Sequence, residues 1–421
     1  MQRIAIIGTG IAGMGAAHFL RHEYDITLFE KNGYAGGHTN TVTVDEDGTP
    51  VRIDTGFMVF NQVTYPNLIR LFDELNVPVK KTSMSFSVQH VPTGLEFCGS
   101  GLNGLFAQRR NLFSPRYIRM LLQIDRFNKE CEEVLTDPRY AGMTLGEYVA
   151  EKGFGDDFLY KYIVPMSSAV WSTPIDLMLG FPAFSLVRFF KNHGFLGLDT
   201  QHQWYTIHNG SRVYRDILLK PIQDRVKVSS GVVRVERNGQ GAEIVFADGS
   251  RAAFDKVIIA AHADEALAML AAPTEQERRL LSRFSYQENI AVLHTDASVM
   301  PRTKRAWSSW NYRIDRTAHA GLTPSTVYWM NSLQQVSQKK DYFVNINGEE
   351  FIDPARVLRR IVYTHPVYTV AAQEAQKELP LLNREGPVYF CGSYFKYGFH
   401  EDAFTSGLEL SKGLMAGHPW A

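Results

Sequence analysis

The chain has 421 residues, 45% hydrophobic and 21% charged, ample for a large core and too long for one simple domain. Its 44 basic and 44 acidic residues cancel, so no global charge points to nucleic acid. Cys98, Cys131 and Cys391 are scattered and offer neither a disulfide framework nor metal-ligand spacing; a reducing, cytoplasmic setting without a bound metal is expected. Ile4–Ile7 is too short for a secretory leader, and no run of eighteen apolar residues offers a membrane span.

The chain opens with a short buried strand, Ile4 to Ile7, followed by Gly8, Gly10 and Gly13 in GxGxxG spacing. The first glycine permits a tight turn, the second lets a pyrophosphate approach the backbone, and the third lets a helix (roughly 13–21) pack on the strand. That helix aims its N-terminal amides at the phosphates. A second strand, Ile26 to Phe29, ends in Glu30, at the distance where a carboxylate grips a ribose hydroxyl. The acid favours FAD or NAD over NADP, whose 2′-phosphate would meet a negative charge. Gly99, Gly101 and Gly104 repeat the spacing but are followed by Gln108–Asn111 and Ser114-Pro115, which cannot continue a close-packed helix, so they read as a glycine-rich turn.

Residues 41–60 alternate around Asp47-Gly48 as a hairpin, and a helix is expected over 64–76. The region 103–200 is helical in period, broken by Ser114-Pro115, Asp137-Pro138 and Pro165. Strands follow at 226–236, 242–246 and 256–260, with the hairpin turn Asp248-Gly249 between the last two. Further strands are expected at 286–296 and 325–331, helices near 354–361 and 368–378, a strand at 388–391 and a last helix over 402–415. Strands near 4, 26, 228, 257 and 389 belong together, so the segments between them form an inserted domain, with a cleft at the junction.

Three blocks resemble the flavin-containing amine oxidase superfamily. They are Gly8–Gly13 with Glu30 and Gly36-Gly37-His38-Thr39; Asp54-Thr55-Gly56; and Val388–Gly392 with Gly398–Gly407, which resembles the closing motif whose helix faces the isoalloxazine. Val232 lies in a strand like the family's adenine-contacting one, and Ile258–Ala261 is similar to another of its segments. The resemblance implies a mixed α/β (α+β) fold. A discontinuous Rossmann-like FAD-binding domain (1–70, 210–275, 380–421) would carry an inserted substrate domain (71–209, 276–379), with a helical part at about 103–200 and an antiparallel sheet. It implies FAD contacts from Gly8, Gly10, Ile11, Ala12, Gly13, Glu30 and Lys31, and from Gly36, Gly37, His38 and Thr39. Asp54, Thr55, Gly56, Val232 and Ala260 would add to these, with Gly392, His400, Glu401, Asp402, Ala403 and Ser406. Amides at the start of the last helix would stabilise charge at flavin N1/O2 as the ring is reduced.

Departures from the family narrow the chemistry. His38 replaces an arginine, Phe399 stands where amine oxidases place a cage tyrosine, and Cys391 reads as a buried inert thiol. Pro165–Pro174, His365–Tyr368 and Gly398–Asp402 resemble a bacterial branch that accompanies cyclopropane-fatty-acid-synthase-like methyltransferases, which implies an unsaturated or methyl-branched acyl substrate. Desaturation or saturation by hydride transfer is one reading. Redox-neutral isomerisation of a polyunsaturated fatty acid, an amine or amino-acid oxidase, and a flavin-binding protein without turnover stay open beside it. Trp171, Tyr205, His208 and Phe399 are expected around the substrate, and His400, Glu401 and His208 are the catalytic candidates. Residues 105–128 and 178–198 are apolar segments carrying arginines; they suit either the inner membrane surface, with phospholipid acyl chains as partners, or the core of the insert.

Overall fold

A computed structural model describes residues 1–171, 175–197, 200–317 and 321–420. At its centre lies a five-stranded parallel sheet of β1 (Arg3–Ile7), β2 (Asp25–Phe29), β3 (Val226–Lys227), β4 (Lys256–Ile259) and β5 (Val388–Phe390), in spatial order β3-β2-β1-β4-β5. β1 sits in the middle, with Ile6 opposite Leu28 on one side and Ile258 on the other. Short runs of aliphatic residues suit strands covered on both faces.

Helix α1 (Ile11–Leu20) links β1 to β2 and is buried all round. Its small residues let the last helix, α2 (His400–Leu414), come close: a Cβ at Gly407 would overlap the Ala12 carbonyl, and Gly15 lies against the Phe404 ring. An antiparallel meander, Val232–Arg237, Ala242–Phe246 and Arg251–Phe254, adjoins the parallel sheet. The Asp248-Gly249 turn thus joins 242–246 to 251–254, and the strand beginning at Lys256 is released to the parallel sheet. The expected single strand 226–236 is two, because Val226–Lys227 pairs with β2 and Val232–Arg237 with the meander.

The other large sheet has seven strands in the order 357–367, 285–294, 343–346, 321–329, 310–317, 86–90, 95–98. The helix expected near 354–361 is instead the strand Val357–Val367, paired with Ser285–His294 along its length. Asp353-Pro354 does start a helical turn, with Asp353 accepting from Ala355 N, but it ends at Arg356. The β-branched and aromatic run Ile361–Thr364 then favours a pleated neighbour. Helices between residues 101 and 192 cap this sheet. Ser172–Pro174, the end of the motif around Trp171, lie outside the described residues, as do 198 and 199.

Candidate active site

A cavity of about 1020 Å³ runs from the carboxyl ends of β1 and β2 into the space under the seven-stranded sheet. Its first end is built from backbone. Gly8 turns with φ of 102° and donates its amide to the Phe29 carbonyl; a Cβ there would come within 2.5 Å of the Ala260 oxygen. A Cβ at Gly13 would overlap the Gly8 carbonyl, so glycine sets the helix-to-strand distance. Beside Gly10, at the mouth of α1, a Cβ would meet no protein atom within 4 Å. That open space beside the amides of an α-helix N-terminus is the shape a pyrophosphate needs. Gly36 donates to Thr9 Oγ1 at 3.0 Å, and Gly37 packs on Gly10.

Glu30 is buried. One carboxylate oxygen accepts from Thr9 N and Oγ1, at 3.2 and 2.6 Å, and the other from Asn32 N and Nδ2, at 3.0 and 2.9 Å. Lys31 pairs with Glu265 at 2.5 Å. Val232, Ala260 and His262 complete this end of the wall. His38 lines the cavity between Tyr363, stacked at 4.8 Å, and His365 at 5.3 Å; burial holds its imidazole well below its ordinary pKa, and its Nε2 has no hydrogen-bond partner.

His400, the first residue of α2, also lines the cavity. Its ring lies flat on Phe57 at 3.8 Å, and its Nε2 meets Tyr214 Oη at 2.6 Å. Tyr214 is bonded in turn to Thr39 Oγ1. Burial lowers His400 to about 3 and raises Tyr214, so a phenol faces a neutral imidazole. The phenol then donates to Nε2, which assigns the ring proton to Nδ1.

The expected residues therefore separate. Gly8, Gly10, Ile11, Ala12, Glu30, Lys31, Gly37, His38, Thr55, Gly56, Val232, Ala260, Gly392, His400 and Ala403 form cavity wall, with Trp171 and Phe399. Gly13, Gly36, Thr39 and Ser406 stand one layer behind; Ser406 accepts from Gly392 N at 2.8 Å and so ties β5 to α2. Three carboxylates turn away. Glu401 accepts from Asn67 N and Leu68 N, at 3.0 and 2.9 Å, capping the helix Pro66–Glu74. Asp402 accepts from Tyr397 N and Phe399 N, and Asp54 is enclosed by Thr41, Ser211 and Gln334. His208 is exposed and off the cavity. Tyr205 points to the other face of the strand Trp204–Ile207, so Trp204 takes the place expected of it.

The far half of the cavity is aromatic. Phe399 stacks on Phe189 at 4.9 Å, Phe189 on His193 at 3.8 Å, and His193 lies parallel to Trp204 at 6.0 Å. Trp171, Met84 and Trp310 close the wall. His193 was not read from the sequence. Its Nδ1 meets the Phe189 carbonyl at 2.9 Å and its Nε2 meets Thr64 Oγ1 at 3.2 Å; burial lowers it to about 4. The charged side chains on the cavity wall are Glu30, Lys31, Glu265 and Glu288, at the Lys31 end or on the strand edge facing it; among the described residues none lines the aromatic half. Burial likewise pushes the Cys391 thiol up to about 12, which leaves it inert.

The open cradle at Gly10, the unpartnered His38 nitrogen and the volume of the cavity fit a flavin dinucleotide, held by the glycine loop, Glu30, Gly37, His38 and the start of α2. Comparison with known proteins agrees. The chain aligns with a 1-hydroxycarotenoid 3,4-desaturase from Flavobacterium sp. (strain P99-3) at 30% identity over 128 residues, 27% of this chain and 25% of that one. Its fold is similar to cyclohexylamine oxidase from Brevibacterium oxydans IH-35A (TM-score 0.68, 15% identity, 98% of this chain and 99% of that chain). It is also similar to the CLA-producing fatty acid isomerase from P. acnes (TM-score 0.65, 14% identity, 99% of each chain). The family model for flavin containing amine oxidoreductases matches residues 11–414, and with that match the chain belongs to this family as an FAD-dependent oxidoreductase.

Proposed function

We propose that this enzyme transfers hydride between FAD and a C–H bond of a hydrophobic chain, an unsaturated or methyl-branched fatty acyl group, which it desaturates or saturates. The observation that carries the reading is the aromatic half of the cavity, whose described wall holds no carboxylate, lysine or arginine. An ammonium group would find no counter-charge there, whereas a hydrocarbon chain is matched by Trp171, Phe189, Trp204 and Phe399. The likenesses to a carotenoid desaturase and a fatty acid isomerase fit a hydrophobic substrate.

When bound, FAD supplies the hydride acceptor or donor. The chain's own residues supply shape and dryness. The stacked rings of Phe399, Phe189 and His193 offer a flat apolar wall. Both nitrogens of His193 are engaged, by Thr64 and by the Phe189 carbonyl, so it serves as wall rather than as a base. His400 is fixed by Tyr214 with a neutral ring, and its proton on Nδ1 is the group available to donate.

The test is anaerobic mixing of the FAD-loaded enzyme with free unsaturated fatty acids while the flavin absorption is followed. Bleaching or a spectral shift is expected, strengthening with chain length by about 0.8 kcal/mol, roughly fourfold in affinity, per buried CH2. Benzylamine should leave the spectrum unchanged. Product of unaltered mass would redirect the reading to isomerisation. Rapid reduction by the amine, with no response to any lipid, would overturn it in favour of an amine oxidase.

A further inference from the structure

Beside the edge strand 95–98 of the seven-stranded sheet, the net-neutral chain gathers positive charge and exposed apolar side chains. Residues 99–124 contain four arginines and no acid, and 297–312 contain Arg302, Lys304 and Arg305 and no acid. Structure brings the two stretches together. Arg109, Arg305, Ser100 and Asn103 line one open cleft of about 630 Å³. The helix Gly101–Leu105, the turn Arg109–Phe113 and the start of the helix Pro115–Glu130 form one surface: Tyr117 Oη donates to the Leu105 carbonyl at 2.6 Å, and Arg109 donates to Asn103 Oδ1 at 3.0 Å.

From this surface Phe113 is 88% exposed, Leu102 71%, Leu122 64% and Leu112 48%. Pro115, Arg119 and Leu122 recur at helical spacing and share one outward face. Arg116 is paired with Asp157, and Asp125 with Lys129, so those charges cancel. Among the described residues, Arg109, Arg110, Arg119, Arg302, Lys304 and Arg305 make no ion pair with an acidic side chain. The second arginine-bearing segment differs: Phe181, Leu186, Val187, Phe189, Phe190 and Phe195 are buried, so its apolar side is core.

We propose that this face docks the enzyme on an anionic phospholipid bilayer, with Phe113, Leu112, Leu102 and Leu122 entering the acyl boundary and the Arg109–Arg305 cleft receiving a headgroup phosphate. Exposed large apolar side chains beside arginines that have no acidic partner match a surface that is hydrocarbon inside and negative outside. The proposal does not rest on the substrate argued above. Among the described residues no helix is long and apolar enough to cross a membrane, so docking is peripheral.

The experiment is flotation of the full FAD-loaded chain with vesicles of phosphatidylcholine containing phosphatidylglycerol, against phosphatidylcholine alone. Binding to the anionic vesicles is expected, falling as salt is raised. Phe113→Ser should weaken it about tenfold. Arg109→Ala with Arg305→Ala should weaken it about twenty-five-fold, at roughly fivefold per charge. Both variants should keep wild-type melting and flavin content, since the altered side chains are exposed. Equal flotation with neutral and anionic vesicles, or variants that bind like wild type, would overturn the proposal. So would displacement by inorganic phosphate or by polyglutamate at matched ionic strength, which would mark the cleft as a free-anion site or the face as one for an acidic protein. Vesicle binding without any lipid effect on the flavin spectrum would leave this proposal standing and count against the acyl substrate.

Discussion

Gly10 separates binding from folding. Its φ of −60° suits any residue, and a Cβ there meets no protein atom, so Gly10→Val should fold and melt like wild-type protein stripped of FAD. The valine would fill the space beside the α1 amides, and the purified variant should be colourless. A yellow variant with one flavin per chain would show that the dinucleotide does not pass Gly10. Glu401 gives the opposite contrast. It looks like part of the machinery because it follows His400, yet both carboxylate oxygens are committed to Asn67 and Leu68 amides. Glu401→Ala should cost about 1–3 kcal/mol, read as a lower urea midpoint, with flavin content and substrate reduction rate unchanged. A slowed reduction at unaltered stability would return Glu401 to the chemistry.

Among the elements, the contact between α1 and α2 decides how the two ends of the cofactor site meet. Gly407→Ala would drive a methyl into the Ala12 carbonyl, so α2 must shift. A loss of about 1–3 kcal/mol is expected, with weaker FAD retention because Gly392 and His400 move with the helix. Wild-type melting and FAD affinity would show that the helices give way without disturbing the site. The elements also show what was legible. β1, β2, β4 and β5 are short, largely apolar runs, and could be read directly. The glycine motif was readable because its geometry is local. Trp310–Thr317 was missed because charged Arg313, Asp315 and Arg316 break its apolar pattern, and Val357–Val367 was misread because exposed Arg359 and Arg360 follow a proline turn start. Glu401, Asp402 and Asp54 were assigned to the flavin for want of their partners: Leu68 lies 333 residues from Glu401, and Gln334 lies 280 from Asp54. The same distance hid His193, whose neighbours Thr64, Trp204 and Phe399 are joined only by folding.

For the whole molecule, buried titratable groups set the response to acid. Burial holds His18, His193, His294 and His365 near 4 and His400 near 3, against about 6.5 for an unfolded histidine. Depressed native values mean that the unfolded chain takes up protons first. The stability they contribute is complete above about pH 6.5 and is lost as pH falls toward 4. Asp402, raised to about 7 by burial, works the other way, its contribution being lost as pH rises from about 4 through 7. Asp54 and Glu401, also raised by burial, act with Asp402, but the five imidazoles outnumber these three carboxyls, so the urea midpoint should be lower at about pH 5 than at about pH 7.5, with an unchanged slope. A midpoint that rises on acidification would show that these imidazoles are not held neutral.

The parallel sheet takes its strands from residues 3–29, 226–259 and 388–390, and α2, which closes over α1, ends at Leu414. During synthesis the glycine loop therefore leaves the ribosome hundreds of residues before the strand beside β4 and the helix that carries His400. Until then the edge of β4 is unpaired and the apolar side of α1 is bare, an invitation to chaperones and to aggregation. Flavin capture therefore has to wait for β5 and α2, and products truncated before Val388 should collect as colourless, insoluble protein rather than as partly active enzyme.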